Sequence, residues 1–119
     1  MTVGRVVPTM TVVDLPAAVT QYRAVFDLDV VMDHGWIVTL AAPDRRHQLS
    51  LLTQDASAGV NPTVSIEVDD VEAAYRGAVA AGVRIVHPLS EEEWGVRRFF
   101  FEDAAGNVVN VLSHLPGSS

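Results

Sequence analysis

Two stretches of this chain resemble each other: Val13-Asp14-Leu15-Pro16-Ala17-Ala18-Val19 and Asp69-Asp70-Val71-Glu72-Ala73-Ala74-Tyr75. Each follows an apolar, alternating run, opens a predicted helix with an aspartate, and leads into valine-rich strands. Aspartate is a favoured helix N-cap, and proline suits a first helical turn, where a missing N–H costs nothing. Asp14 matches Asp70, and Ser50 matches Asn110, at offsets of 56 and 60 residues. One internal repeat predicts two similar modules with a functional pocket between them.

Composition excludes several classes of protein. The 119 residues contain no cysteine, which removes disulfides, thiolate metal sites and cysteine nucleophiles. The net charge of −7 disfavours nucleic-acid binding, because an acidic surface repels phosphate backbones. No apolar run approaches the roughly 20 residues that cross a bilayer. No charged-then-apolar leader is recognisable at the start. These features predict a cytoplasmic protein of one domain, residues 1–119, that does not interact with membranes.

The hydrophobic pattern predicts a strand, a helix and three more strands in each half. The predicted strands are residues 5–13, 28–33, 36–42, 47–53, 63–68, 83–87, 96–102 and 108–114. The second helix begins after Asp69 or Asp70 and ends at Ala81, because Gly82 is a typical C-terminal stop. The modules are therefore residues 5–53 and 63–114, and the linker is 54–62. Glu91-Glu92-Glu93 is predicted as a solvated loop, or alternatively as an acidic patch that attracts a cationic ligand.

Four groups of residues carry a resemblance to a known family. They are Val12-Val13-Asp14-Leu15 with Tyr22, Val68-Asp69-Asp70-Val71-Glu72-Ala73-Ala74, Trp94-Gly95-Val96-Arg97, and Phe101-Glu102-Asp103 with Gly106-Asn107. Together they resemble the vicinal oxygen chelate superfamily (glyoxalase, bleomycin resistance protein and dioxygenase), and residues 94–107 resemble its bleomycin-resistance-like branch. The resemblance implies an α+β fold with two βαβββ modules in tandem, forming a curved mixed sheet around a cavity, in a homodimer. Pairing of modules within one chain or between two chains stays open.

Enzymes of that superfamily usually hold one divalent metal through His or Glu on the first and last strands of each module. The matching positions here are Val7, Ser50, Thr63 and Asn110. Valine cannot bind a cation, and neutral hydroxyl and amide groups lack the charge or basicity that such metals need. We therefore expect no metal and no cofactor.

The four histidines offer no obvious replacement. None of His34, His47, His87 and His114 forms a two-histidine motif on one element, and surface or rim positions are expected for them. The alternative is a rebuilt metal site that uses His47, Glu67 and His114. Glu67 is also a candidate general base in an apolar pocket, unless it forms an ion pair with Arg98 or lies at the rim.

Strand alternation predicts an apolar, hydroxyl-rich pocket lining with one carboxylate and one guanidinium. The predicted ligand-binding residues are Thr9, Trp36, Val38, Leu40, Ser50, Thr63, Ser65, Glu67, Trp94, Arg98, Phe100 and Asn110. The two indoles offer flat surfaces for a planar ligand, although Trp94 is equally suited to packing its loop against the sheet. Arg97 and Phe99 are expected on the opposite, helix-facing side.

Three functions are consistent with these sequence features. The favoured one is metal-independent binding of a small hydrophobic or aromatic molecule, which sequesters an antibiotic or secondary metabolite as bleomycin-resistance proteins do. The alternative is a glyoxalase- or dioxygenase-like lyase or isomerase that acts on a small organic substrate. The third is a dimerising or regulatory module without a ligand. The sequence leans away from catalysis, assigns no catalytic residue, and does not identify the ligand.

Overall fold

A computed structural model describes residues 1–117. The chain divides into two compact units. The first unit is Val7–Asn61, and the second combines Met1–Val6 with the chain from Pro62 onward. The elements are β1 (Val3–Thr11), α1 (Leu15–Val25), β2 (Asp29–Asp33), β3 (Ile37–Ala41), β4 (Gln48–Leu52), β5 (Val64–Val68), α2 (Val71–Ala81), β6 (Arg84–Glu92), β7 (Val96–Glu102) and β8 (Val108–His114). This order confirms the α+β class and the tandem βαβββ arrangement.

The first unit has the strand order β2-β3-β4-β1, in which β1 runs parallel to β4 and the other pairs are antiparallel. Helix α1 packs across β3 and β4. Its apolar side, with Leu15 and Ala18, contacts Val38, Leu40 and Leu51, and these five residues form a buried core.

The second unit repeats this plan with the order β5-β8-β7-β6, and β5 runs parallel to β8. Helix α2 packs across β6, β7 and β8. Its core contains Val68, Val71, Phe99, Val109 and Val111. The ring of Tyr75 meets that of Phe99 edge to face, with centroids 5.1 Å apart. The prediction that Phe99 faces the helix is confirmed.

Both predicted helix starts are confirmed by their capping hydrogen bonds. Asp14 Oδ1 accepts from the Ala17 N–H at 3.0 Å, and Asp70 Oδ1 accepts from the Ala73 N–H at 3.0 Å. The two helices end differently. Gly82 follows α2 with φ of 75°, in the left-handed region, whereas Phe26 follows α1 with φ of −121°. Within residues 1–117, no helix is both long enough and apolar enough to span a membrane.

Strand β6 is longer than predicted. The sequence predicts a strand over residues 83–87, but pairing with β7 continues to Glu92 through two irregularities in the register. Because β6 lies at the edge of its sheet, a proline is tolerated where no neighbour needs its missing N–H. The extension carries Glu92 onto the sheet, whereas Glu91 and Glu93 stay exposed.

Candidate functional site

The richest polar chemistry lies on the face of the second unit's sheet opposite α2. Residues packed on α2 alternate along each strand with residues of this other face. The strand registers arrange the latter in three rows across the sheet. The first row is His87, Phe100, Asn110 and Ser65; the second is Ser90, Arg98, Leu112 and Glu67; the third is Glu92, Val96 and His114. Five predicted binding residues, Ser65, Glu67, Arg98, Phe100 and Asn110, therefore share this face.

The first row is centred on a buried amide. Asn110 Nδ2 donates to Ser65 Oγ at 2.9 Å. Asn110 Oδ1 and His87 Nε2 are buried and have no hydrogen-bond partner within the part of the chain described. The His87 ring packs against Phe100 with centroids 5.1 Å apart. An unpartnered buried acceptor is uncommon in folded proteins, so the Asn110 oxygen requires an explanation.

The second row contains a stacked guanidinium. Arg98 Cζ lies 4.9 Å from the Trp94 ring centroid and 4.7 Å from that of Phe100. Arg98 Nη2 lies 2.8 Å from Glu92 Oε2, and Nε donates to the same oxygen at 3.1 Å. The side chains of Arg98 and Glu92 are only 3% and 6% exposed. The solvated loop expected for Glu92 is therefore wrong, because its carboxylate is buried as the counter-ion of Arg98.

A second charged cluster lies where β5 and β8 end. Glu67 Oε2 is 2.9 Å from Arg5 Nε, and Glu67 Oε1 is 3.1 Å from His114 Nε2. These side chains are 35%, 26% and 42% exposed for Arg5, Glu67 and His114. The structure pairs Glu67 with Arg5 and His114, and Arg98 with Glu92, in place of the possible Glu67–Arg98 pair. The rim position expected for His114 agrees with its exposure, whereas the surface or rim position expected for His87 is wrong, because His87 is buried.

Trp94 lies in the turn between β6 and β7, next to this charged cluster. The Leu115 N–H donates to the Gly95 carbonyl at 2.9 Å, and Val96 pairs with His114. One surface of Trp94 packs on Arg98, and the residue as a whole is half-buried. Both readings of Trp94 therefore stay open, since packing against Arg98 leaves part of the indole accessible. Thr63 precedes β5, is exposed, and donates its N–H to the Val108 carbonyl at 2.8 Å.

The corresponding face of the first unit carries fewer polar residues, and none of those in its rows is charged. Thr39 pairs with Ser50, and Ser50 pairs with Thr9, so three buried hydroxyl residues form one row. Thr39 Oγ1 and Ser50 Oγ share a hydrogen bond of 2.7 Å. The next row is Ile37, Leu52 and Thr11. Ser50 and Thr9 therefore share a face as predicted, and Thr39 was missed.

The predicted orientation of Val38 and Leu40 is wrong. Both pack against α1 in the core, on the side opposite Ser50. Thr39 is eleven residues from its partner Ser50, whereas Phe100 is ten residues from Asn110. The first hairpin is one residue longer, and a shift of one residue turns every side chain of a strand to the other face. Trp36 precedes β3, is half-buried, and its carbonyl accepts from the Thr53 N–H at 3.1 Å.

The positions that hold a metal in the resembling enzymes do not suit one here. Val7 is apolar, Ser50 Oγ is bonded to Thr39, and Thr63 is an exposed neutral residue. Asn110 offers one neutral amide oxygen. Within residues 1–117, no three or more His, Asp or Glu side chains are grouped to hold a metal ion. These donors are too few and too weakly basic for a divalent transition metal.

The chain repeats a βαβββ unit, and each unit carries a row of polar residues on the face opposite its helix. Together these two features define a class of proteins built from two such modules. The chain belongs to the Glyoxalase/Bleomycin resistance protein/Dioxygenase superfamily, whose family model matches residues 3–111. No curated protein sequence matches the chain.

Three of the solved structures that share the fold show the degree of similarity to this chain. A Legionella pneumophila chain described as NAD-dependent benzaldehyde dehydrogenase has TM-score 0.74 and 14% identity, over 92% of this chain and 98% of that one. A superfamily member from Vibrio splendidus 12B01 has TM-score 0.70 and 18% identity, over 94% and 99%. Streptomyces coelicolor methylmalonyl-CoA epimerase has TM-score 0.67 and 20% identity, over 100% and 98%. At these identities the likeness shows the fold alone.

Proposed function

We propose that this protein binds a small organic molecule without a metal, on the face of the second unit opposite α2. The observation that carries the proposal is the chemistry at Asn110. A buried neutral amide, held by Ser65 and with an unpartnered oxygen, stands where the resembling enzymes place a metal ligand. Such a group recognises a hydrogen-bond donor of an organic ligand rather than a cation.

The residues around Asn110 fall into two groups by exposure: buried residues that support Trp94, and partly exposed residues that can contact a ligand. Phe100 is fully buried and Arg98 nearly so, and together with Glu92 they form a rigid layer that supports Trp94. Trp94, Ser65 and Glu67 are partly exposed. In our proposal these three residues contact the ligand together with the Asn110 amide oxygen, and the indole stacks on an aromatic or hydrophobic portion.

The biological role we propose is sequestration. A protein of the bleomycin-resistance type needs affinity and stoichiometric amounts rather than chemistry, and the neutral donor set supports that role over metal catalysis. The proposal includes a cytoplasmic homodimer that withholds an aromatic or hydrophobic antibiotic or secondary metabolite from its target.

The first test is native mass spectrometry with elemental analysis of the protein purified from its own host. We expect a metal-free protein that retains an organic mass. Trp94→Ala should lose this mass, and Trp36→Ala, which removes the other indole, should retain it. One stoichiometric divalent metal per subunit, or a retained mass that both variants keep, would overturn the proposal.

A lyase or isomerase is the second candidate, and one observation favours it. Glu67 Oε1 holds His114 Nε2 at 3.1 Å, and His114 is 42% exposed, so the carboxylate orients an accessible imidazole that can move a proton. The probe is methylmalonyl-CoA in D₂O, chosen because a structural neighbour is an epimerase of that compound. Deuterium incorporation that His114→Asn abolishes would support catalysis, and no incorporation by the unaltered protein would exclude it for this substrate.

A further inference from the structure

A groove of about 370 Å³ lies on the other side of the first unit's sheet, beside α1. It is lined by Leu15, Pro16 and Val19 of the helix and by Val30, Asp33, Gly35 and Val38 of the β2–β3 hairpin. The groove exists because α1 packs across β3 and β4 and leaves the helix-facing side of edge strand β2 accessible. Val30 is accordingly 42% exposed. The volume lies within the usual range for small-molecule sites.

The lining combines an apolar wall with one carboxylate. Five of its seven residues are apolar, and Asp33 is the single charged one. Within residues 1–117, the Asp33 side chain makes one hydrogen bond, in which Oδ1 accepts from the Gly35 N–H at 2.8 Å, and no ion pair. The nearby start of α1 is already satisfied, because Asp14 caps it and Pro16 has no N–H. Asp33 and a chain charge of −7 therefore favour a cation at this groove.

A second copy of the chain is a poor occupant. Strand β2 reads Asp29-Val30-Val31-Met32-Asp33, so an antiparallel pair of two such edges centred on Val31 places Asp29 of each opposite Asp33 of the other. Like charges directly opposite each other destabilise a strand pair. Arg45 lies 2.8 Å from Asp29, whereas Asp33 has no such companion among the residues described. Asp33 is therefore the carboxylate of this strand that favours a small cation at the groove.

We propose that this groove is a binding site for an amphipathic organic cation, in which an ammonium meets Asp33 and a hydrocarbon body lies along Val19 and Val30. The site is separate from the face of the second unit and does not depend on the function proposed there. The sequence offered no signal for it, because the groove results from the placement of α1 rather than from a motif.

The proposal is tested by NMR titration of the labelled full chain with hexylammonium, 1-hexanol and hexanoate, which share one hydrocarbon body and differ in charge. We expect saturable shifts at the lining residues, strongest affinity for the cation, and weakest for the anion. Asp33→Asn should reduce hexylammonium affinity by about two- to fivefold, the range that a partly exposed ion pair contributes. Asp44→Asn is the matched control, because Asp44 also accepts from a nearby backbone N–H, that of Arg46 at 2.9 Å, and lies outside the groove.

A second pair of variants tests the position. Val30→Trp fills the groove and should abolish the shifts, whereas Val31→Trp changes an equally exposed neighbour that does not line it and should preserve them. Equal binding of hexanol and hexylammonium, or equal effects of the two tryptophan variants, would overturn the proposal. A concentration-dependent doubling of mass that Val30→Trp prevents would assign the groove to a second copy instead, and would also overturn it.

Discussion

The two units place different chemistry on the same frame. The hydroxyl row Thr39, Ser50 and Thr9 of the first unit corresponds, strand by strand, to Phe100, Asn110 and Ser65 of the second. The row beside it changes from Ile37, Leu52 and Thr11 to Arg98, Leu112 and Glu67. One leucine position is kept, and an apolar residue and a hydroxyl residue are replaced by two charged ones.

This difference shows that a repeated backbone does not impose repeated chemistry. Strand pairing fixes which positions share a face, and the side chains at those positions are free to differ where burial and hydrogen bonding are satisfied. The second unit satisfies its buried guanidinium with Glu92 and two aromatic rings. The first unit needs no such partners because its row is neutral.

The largest predicted effect comes from making the second unit like the first. Arg98→Ile copies Ile37 and removes the guanidinium from the buried Glu92 carboxylate, which keeps the more distant His87 Nε2, at 3.7 Å, as an ion-pair partner. We expect a loss of about 3–5 kcal/mol in the free energy of unfolding, the usual cost of breaking a buried ion pair. Urea denaturation measures it.

The matched control removes both charges. Arg98→Ile combined with Glu92→Leu leaves no buried ion, and it should recover most of the stability lost by Arg98→Ile alone. A single variant that loses less than about 1 kcal/mol, the level of an exposed ion pair, would show that the Arg98–Glu92 pair is hydrated rather than buried.

The next effect is on the neutral row of the first unit. Thr39→Val removes one partner of the 2.7 Å hydrogen bond to Ser50 and leaves a buried hydroxyl unsatisfied. We expect a loss of about 1–3 kcal/mol, again by urea denaturation. Adding Ser50→Ala should restore much of that stability, because no polar group then stays unpaired. If the double variant is no better than the single one, the hydrogen bond is not the cause.

The ends of the two helices give a further comparison between the units, with a smaller expected effect on stability. Gly82→Ala forces a side chain into a left-handed backbone with φ of 75°, and should cost about 1–2 kcal/mol. Phe26→Ala after α1 carries no such strain, because φ is −121° there, and Phe26 is more exposed than buried. Thermal unfolding of the two variants should therefore separate them, and equal losses would contradict a role for the left-handed turn.

The smallest effect is on acid stability. Hydrogen bonds from the Asn107 side chain and then from the Asn107 backbone N–H hold the pKa of Asp103 below its ordinary value. A carboxylate with a lowered folded pKa stabilises the native state above its unfolded pKa, and this contribution is lost as the pH falls through the folded pKa. Asn107→Ala should raise the pKa of Asp103 measured by NMR titration. An unchanged titration midpoint would contradict this.

The bounds of many helices and strands were predictable because the residues that indicate them act on their immediate neighbours in the chain. Asp14, Asp70 and Gly82 act through hydrogen bonds and φ values within a few residues, and the helices begin and end where these residues indicate. Strands β7 and β8 match their predicted bounds because two runs rich in valine and phenylalanine flank a glycine-containing turn. The resemblance placed Asn110 on the pocket face, and the period of two in side-chain direction then placed its neighbours.

The orientation of β3 was not predictable in the same way. Residues 37–41 are almost entirely apolar, so the strand carries no alternation that distinguishes its two faces. The orientation of β3 was therefore taken from the matching strand of the second half. The first hairpin has one extra residue, so this match places each residue of β3 one position away from its true counterpart. Val38 and Leu40 were therefore assigned to the face that Thr39 occupies.

The buried Glu92 was missed for a different reason. Three successive glutamates are typical of a solvated loop, and no local signal tells which of them meets an arginine on the next strand. The pair with Arg98 depends on two irregularities in the β6–β7 register, which only the folded sheet displays. The pattern of residue types along the chain does not predict side-chain contacts that depend on such irregularities.

Strand β1 links the order of synthesis to the order of folding. Its residues 7–11 belong to the first unit, and residues 9–11 pair with β4, which is complete at Leu52. Its residues 3–6 belong to the second unit, where the preceding Thr2 N–H donates to Asp69 Oδ1 at 2.7 Å and Arg5 pairs with Glu67. Since chains emerge from the ribosome N-terminus first, the first unit can fold early while the segment made before it waits for β5. The two ends of this nine-residue strand are therefore expected to pair with their neighbours at different times during synthesis.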